Sequence, residues 1–163
     1  MSYRSLFESL LRGVRRSTGW LLLSSGALAA PGGVQAFGVD TWAKLQRSAV
    51  MAQAVVFTTT ECVHCPAVIE RLATALGKPP RRVGLAVVVM DGQEQPAALL
   101  ADRHYRLADT LYAFDGDTLA LRHRVNPEWL GLTPYVVLLP AKGPARYFNG
   151  APPAAALQSF LQP

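Results

Sequence analysis

Cysteine is nearly absent from this chain: its 163 residues hold two, Cys62 and Cys65. Two cysteines rule out a small fold stapled by several disulfides, so stability has to come from a packed core. Half the residues are hydrophobic, which excludes a disordered chain, and the length fits one domain with a core of ordinary size. There is no internal repeat, and the only biased tract is the short "APPAAA" at 151–156. A net charge of +5 and a pI near 9.6 would suit a nucleic-acid partner, but the charge is unevenly placed. Residues 1–36 carry Arg4, Arg12, Arg15 and Arg16 against Glu8 alone. The remainder is close to balanced, with no long basic run and no basic stripe interleaved with aromatics, so no nucleic-acid partner is expected.

A long apolar run is also missing. The most apolar stretch near the start is "GWLLLSSGALAA", residues 19–30. Its 12 residues fall short of the roughly 20 that span a bilayer and fit the apolar segment of an export signal. Arg12, Arg15 and Arg16 precede it, and Pro31-Gly32-Gly33 follows as a helix break. Val34-Gln35-Ala36 and Ala27-Leu28-Ala29 both offer small residues for a signal peptidase. We expect residues 1–36 to be a signal peptide cleaved after Ala36, or a membrane anchor if retained. Residues 37–163 then form the folded domain, periplasmic or otherwise exported.

In an exported protein two cysteines persist as a disulfide. A staple between residues three apart removes little chain entropy, about 2 kcal/mol in the simple loop model. A C-x-x-C pair is better suited to redox or metal chemistry. The metal alternative is a copper-binding or metallochaperone module using Cys62, His64 and Cys65. Structural zinc wants four ligands and only two further histidines exist, His104 and His123, whereas copper(I) accepts two thiolates.

The pair lies between two patterns. "QAVVFTT", 53–59, is a β-branched run that predicts a buried strand. From Pro66 to Leu76, Val68, Ile69, Leu72, Ala73 and Leu76 recur at helical spacing, and Gly77 with Pro79-Pro80 ends the helix. "VGLAVVVMD", 83–91, predicts a second buried strand. The strand–helix–strand order favours a parallel pair with a right-handed crossover. Residues 94–108 predict one helix. "LYAFDGD", 111–117, predicts a strand and an Asp-Gly turn, with Asp117 capping a helix over 118–125. "PYVVLLP", 134–140, and "ARYFNG", 145–150, predict a hairpin turned at Lys142-Gly143. Residues 153–161 close the chain as a helix. Ahead of all these, Asp40 or Thr41 caps a short helix through Trp42 and Leu45.

That order, with Cys62-Val63-His64-Cys65 between strand and helix and Thr133-Pro134 before a later buried strand, resembles the thioredoxin superfamily over roughly residues 40–161. The succession of Asp-Gly turn, short helix, proline strand and Gly-turn hairpin is most similar to its exported TlpA-like branch. The resemblance implies an α/β thioredoxin-like fold, with a central mixed β-sheet flanked by helices. It implies a cis Thr133-Pro134 bond facing the cysteines, Cys62 as nucleophile, Cys65 as resolving thiol and His64 as a tuner of the Cys62 thiolate. Strongly oxidising members carry histidine at that third position, whereas the TlpA-like layout belongs to dedicated reductants. The expected activity is thiol–disulfide exchange, with protein thiols or disulfides as substrates and a redox partner protein. No cofactor is expected, and a membrane is involved only through a retained leader.

The thiolate argument holds without the name. A thiolate, not a thiol, attacks a disulfide, and unpaired N–H groups at a helix start favour an anion. Departures from the family pattern are equally plain. Glu61 stands where tryptophan usually precedes the first cysteine, and Val56 stands six residues ahead, where a buried carboxylate is usual. Glu61 is expected to be solvated, and Pro66 to distort the first helical turn. His104, His123 and Trp129 are expected to be structural or surface residues. Trp129 and Tyr135 are placed to border a substrate groove.

Overall fold

A computed structural model describes residues 32–47 and 51–162. Of the expected leader, residues 1–36, residues 1–31 lie outside the described residues. The elements run β1 (Val34–Phe37), α1 (Thr41–Arg47), β2 (Gln53–Thr58), α2 (Cys65–Leu76), β3 (Gly84–Val89) and α3 (Pro96–Ala101). Then come β4 (Thr110–Phe114), α4 (Thr118–Val125), β5 (Tyr135–Leu139), β6 (Arg146–Asn149) and α5 (Ala154–Leu161).

The six strands form one sheet in the order β1-β4-β3-β2-β5-β6. β1, β4, β3 and β2 are parallel, with Val55 opposite Ala86 and Val87 opposite Leu111. β5 runs antiparallel to β2, and β6 antiparallel to β5. This is the mixed, helix-flanked sheet of a thioredoxin-like α/β fold. The apolar runs of β2, β3 and β5 are continuous because both faces of the sheet are covered. Along β2, Ala54 and Val56 face a layer with Val68, Ile69 and Leu72 of α2 and Leu157 and Phe160 of α5. Val55 and Phe57 face the other layer, with Trp42 and Leu45 of α1 and Leu121 and Val125 of α4.

Local chemistry sets the boundaries. Gly77 ends α2 at φ 79°, a conformation glycine adopts without a Cβ clash. Asp117 caps α4, its Oδ1 accepting from the Ala120 N–H at 2.7 Å. Pro66 sits in the first turn of α2 and leaves the helix continuous, because its missing N–H has no partner to lose there.

One expectation needs correction. The single helix over 94–108 is broken into α3 and a 3₁₀ turn, Tyr105–Leu107. Asp102 divides them: its Oδ1 accepts from the N–H groups of His104 at 2.7 Å and Tyr105 at 3.2 Å, drawing the backbone out of the helix. Residues 34–36, read as the end of the leader, belong with Phe37 to β1. It is an edge strand paired residue by residue with Leu111–Phe114, and Phe37 is buried beside Phe57 and Phe114. A boundary after Ala36 falls inside β1.

Candidate active site

The parallel strands end at one pole of the sheet, and the loop after β2 carries the cysteines. Thr58, at the end of β2, is fully buried; its hydroxyl donates to the Thr59 carbonyl at 3.0 Å. Its own carbonyl accepts from Met90 N–H at 2.9 Å, extending the β2–β3 pairing. The next residue of that neighbouring chain, Asp91, then takes hold of the loop. Its carboxylate accepts from the Thr60 N–H at 2.9 and 3.2 Å and from the Thr60 hydroxyl at 2.8 Å. Cys62 N–H donates to Thr59 O, and Cys65 N–H to Cys62 O, each at 3.2 Å, which folds the motif into a tight turn.

Cys62 and Cys65 are joined by a disulfide with 5.5 Å between Cα atoms. Their environments differ. Cys65 is the first residue of α2 and is 1% exposed. Cys62 is only partly buried and precedes the first residue of the helix by three residues. Between them Val63 is 83% exposed, and His64, in the capping position, is exposed with no hydrogen bond from its imidazole among the described residues. Glu61 is exposed, as expected. Val56 is buried in the aliphatic layer under α2, so no carboxylate occupies that position and the exposed Glu61 is not a buried replacement.

Thr133-Pro134 comes to the same pole through β5. Phe57 pairs with Tyr135, so Pro134, directly before Tyr135, lies at the end of β2 that leads into the cysteine loop. The Thr133-Pro134 bond is cis, as is Pro79-Pro80. Pro134 is buried and its carbonyl accepts from Gly150 N–H at 2.7 Å, while Thr133 is half-buried.

The loop before this proline has a built support. Trp129 stacks on Tyr135 with ring centroids 4.4 Å apart and planes 8° apart, and its indole N–H donates to Leu132 O at 2.9 Å. Asn126 donates to the Tyr135 hydroxyl at 2.8 Å, and its own side-chain oxygen accepts from Glu128 N–H. Gly131 adopts φ 87°, and the Arg122 guanidinium fills the space a Cβ would need. Trp129 and Tyr135 are therefore buried, and they also border a cleft of about 230 Å³ with Tyr147 and Asn149 on its other side. Burial pushes the Tyr135 hydroxyl above the usual tyrosine range, with the Asn126 bond acting in the opposite sense.

Of the other residues singled out, His104 is structural: its Nδ1 lies 3.1 Å from Glu70 of α2, though out of line for a hydrogen bond. His123 is exposed on α4. Two supports escaped sequence reasoning. One is Asp91, which holds the loop from 31 residues away. The other is Tyr105, buried next to the Thr58 side chain; burial raises its hydroxyl, Thr58 lowers it, and Asp102 and Asp91 add to the rise. Among the described residues no three His, Cys, Asp or Glu side chains converge, and no helix is long and apolar enough to cross a membrane.

No protein-family model matches the chain, and no curated protein does. Solved structures of similar fold include a secreted Mycobacterium tuberculosis disulfide oxidoreductase homologous to E. coli DsbE. It is 19% identical over 68% of this chain and 79% of that one, with a TM-score of 0.48. StoA from Bacillus subtilis is 19% identical over 69% and 83% of the two chains, with a TM-score of 0.45. The N-terminal domain of PilB from Neisseria gonorrhoeae is 13% identical over 72% and 80%, with a TM-score of 0.48.

Proposed function

We propose that this chain is an exported thiol–disulfide oxidoreductase acting on protein substrates. The observation that carries the reading is the unequal setting of the two cysteines: Cys62 accessible at the rim, Cys65 buried at the head of α2. In the reducing direction the Cys62 thiolate attacks one sulfur of a substrate disulfide. The S–S bond breaks, one substrate thiolate leaves, and a mixed disulfide forms. Cys65, losing its proton, then attacks the Cys62 sulfur and expels the second substrate thiolate. Two electrons have passed from the protein dithiol to the substrate. Oxidation of a substrate dithiol is the same sequence reversed.

In this reading Thr133 and Pro134 flank the sulfur chemistry and present backbone to an extended substrate, with the Trp129–Tyr135 cleft beside them. His64, when protonated, stabilises the Cys62 thiolate. The leader directs export. Since β1 is part of the sheet, we place any cleavage at Ala27-Leu28-Ala29, ahead of the strand, rather than after Ala36. The test is trapping. Cys65→Ala should accumulate mixed disulfides through Cys62 when the protein is exposed to oxidised protein substrates, and Cys62→Ala should accumulate few. Equal trapping by both variants, or by neither, would overturn the assignment. Redox titration of the pair against glutathione would then set the direction of electron flow.

A further inference from the structure

Charge is segregated between the two poles of the sheet. The loops after β1–β4, on the cysteine side, carry Asp40, Glu61, Asp91, Glu94, Asp115 and Asp117. The opposite pole is basic. Arg47 ends α1, Lys78, Arg81 and Arg82 precede β3, and Lys142 lies in the β5–β6 turn. The acid there, Asp109, is taken up by Arg81. That side chain is 5% exposed and bonds Asp109 Oδ2 at 3.0 Å, Gly77 O at 2.8 Å and Leu107 O at 3.0 Å. Arg81 is thus an internal brace.

Arg82 and Lys142 are different. Both are exposed, and among the described residues neither makes a hydrogen bond or ion pair. They line one groove of about 410 Å³ whose apolar wall includes Met51, Val83, Phe160 and Leu161. Met51 is 44% exposed. The chain also enters the fold at this pole, because β1 runs parallel to β4 and its first residue, Val34, lies at the sheet's basic end.

We propose that this pole is a docking surface for an anionic lipid bilayer, and that it holds the disulfide facing away from the membrane. Two long cationic side chains over an apolar groove match a headgroup layer above an acyl boundary, with ammonium and guanidinium at the phosphates and the stems on the apolar wall. An acidic protein would satisfy the charges but leave the apolar groove without a stated counterpart. The acidic cysteine pole is repelled by the same surface, so charge alone orients the domain. The proposal is independent of the redox reading.

Amide hydrogen exchange of the full chain tests it, on vesicles of pure phosphatidylcholine and on vesicles about one-third phosphatidylglycerol. The anionic vesicles should slow exchange in 51–53, 78–83 and 140–145 and leave 59–65 and 130–134 unchanged; high salt should abolish the slowing. A basic residue at an anionic surface changes association about fivefold, so R82Q/K142Q should need roughly 30-fold more anionic lipid to half-protect 140–145. The leader is common to both proteins and cancels from that comparison. The variant's melting temperature and thiol-exchange rate should match the parent's, since both side chains are exposed and remote from the cysteines. Protection centred on 59–65, equal protection on both lipids, or identical lipid dependence of parent and variant would overturn the proposal. Protection of this pole by an acidic protein but not by lipid would overturn it as well.

Discussion

Asp91→Ala should loosen the cysteine loop without touching either cysteine. The carboxylate receives two donors from one residue, the N–H and the hydroxyl of Thr60, at 2.8 to 3.2 Å. Bonds to a charged acceptor are worth about 1.5–3 kcal/mol when shielded, but this site is open to water, so about 1 kcal/mol for each donor is the better figure. The loss is then about 2 kcal/mol. For a domain of about 130 residues that lowers the melting temperature by roughly 7 °C. Thr60→Val keeps the N–H donor and removes the hydroxyl, so it should cost about half as much. Function should respond too. With Thr60 released, the Cys62 sulfur samples more positions relative to Cys65, and resolution of a mixed disulfide slows because it depends on holding the reacting atoms in line. Thermal unfolding followed by circular dichroism reads the first effect, and stopped-flow exchange with a fluorescent mixed disulfide reads the second. A melting temperature within about 1 °C of the parent, with unchanged resolution, would refute the clamp.

His64→Gln should make the Cys62–Cys65 couple more reducing, because the reduced form loses a favourable charge near the thiolate. An exposed charge at a helix terminus is worth about 0.3–1 kcal/mol, or about 6–20 mV for a two-electron couple; no shift outside error would remove the only support for an oxidant and favour a reductant. Tyr112 has its hydroxyl raised by burial, so its neutral form favours the folded state. That contribution is complete below the unfolded value near pH 10 and is lost as pH rises through the folded value; Tyr112→Phe should flatten the stability loss in urea melts above about pH 10, and an unchanged slope would contradict this. N-terminal sequencing of exported protein should begin near Ala30 rather than Phe37, since the later start removes three of the four β1 residues. A homogeneous Phe37 start on a stable protein would show the strand to be dispensable.

Much of the fold was legible because its signals are local. The β-branched runs of β2, β3 and β5 are buried on both faces, so they read as strands whatever their partners. Gly77, Asp117 and the Lys142-Gly143 turn mark boundaries by backbone chemistry alone. β1 was not legible. Only Phe37 of its four residues is buried, and its pairing partner lies more than seventy residues away at Leu111–Phe114. The break at Asp102 was missed because a helical apolar pattern continues through it, while a single carboxylate offers the backbone a competing partner. In the site, the two motifs were visible as short strings. The Asp91 clamp was not, since exposed polar residues have no periodicity and the contact joins the ends of two different strands.

The buried position beneath α2 links the fold to the proposed chemistry. Val56 is wholly enclosed among Val68, Ile69 and Leu72, where a carboxylate would have to be desolvated without a partner. The sheet therefore gains an uninterrupted aliphatic layer and gives up an internal proton acceptor. Cys65, enclosed at the head of α2, has Val56 rather than a carboxylate at that position. Cys62 stands in the opposite condition, reachable by solvent and ahead of the helix start. In the proposed reaction the difference in exposure sets the order of attack: Cys62 meets the substrate, and Cys65 attacks once the mixed disulfide is held against it.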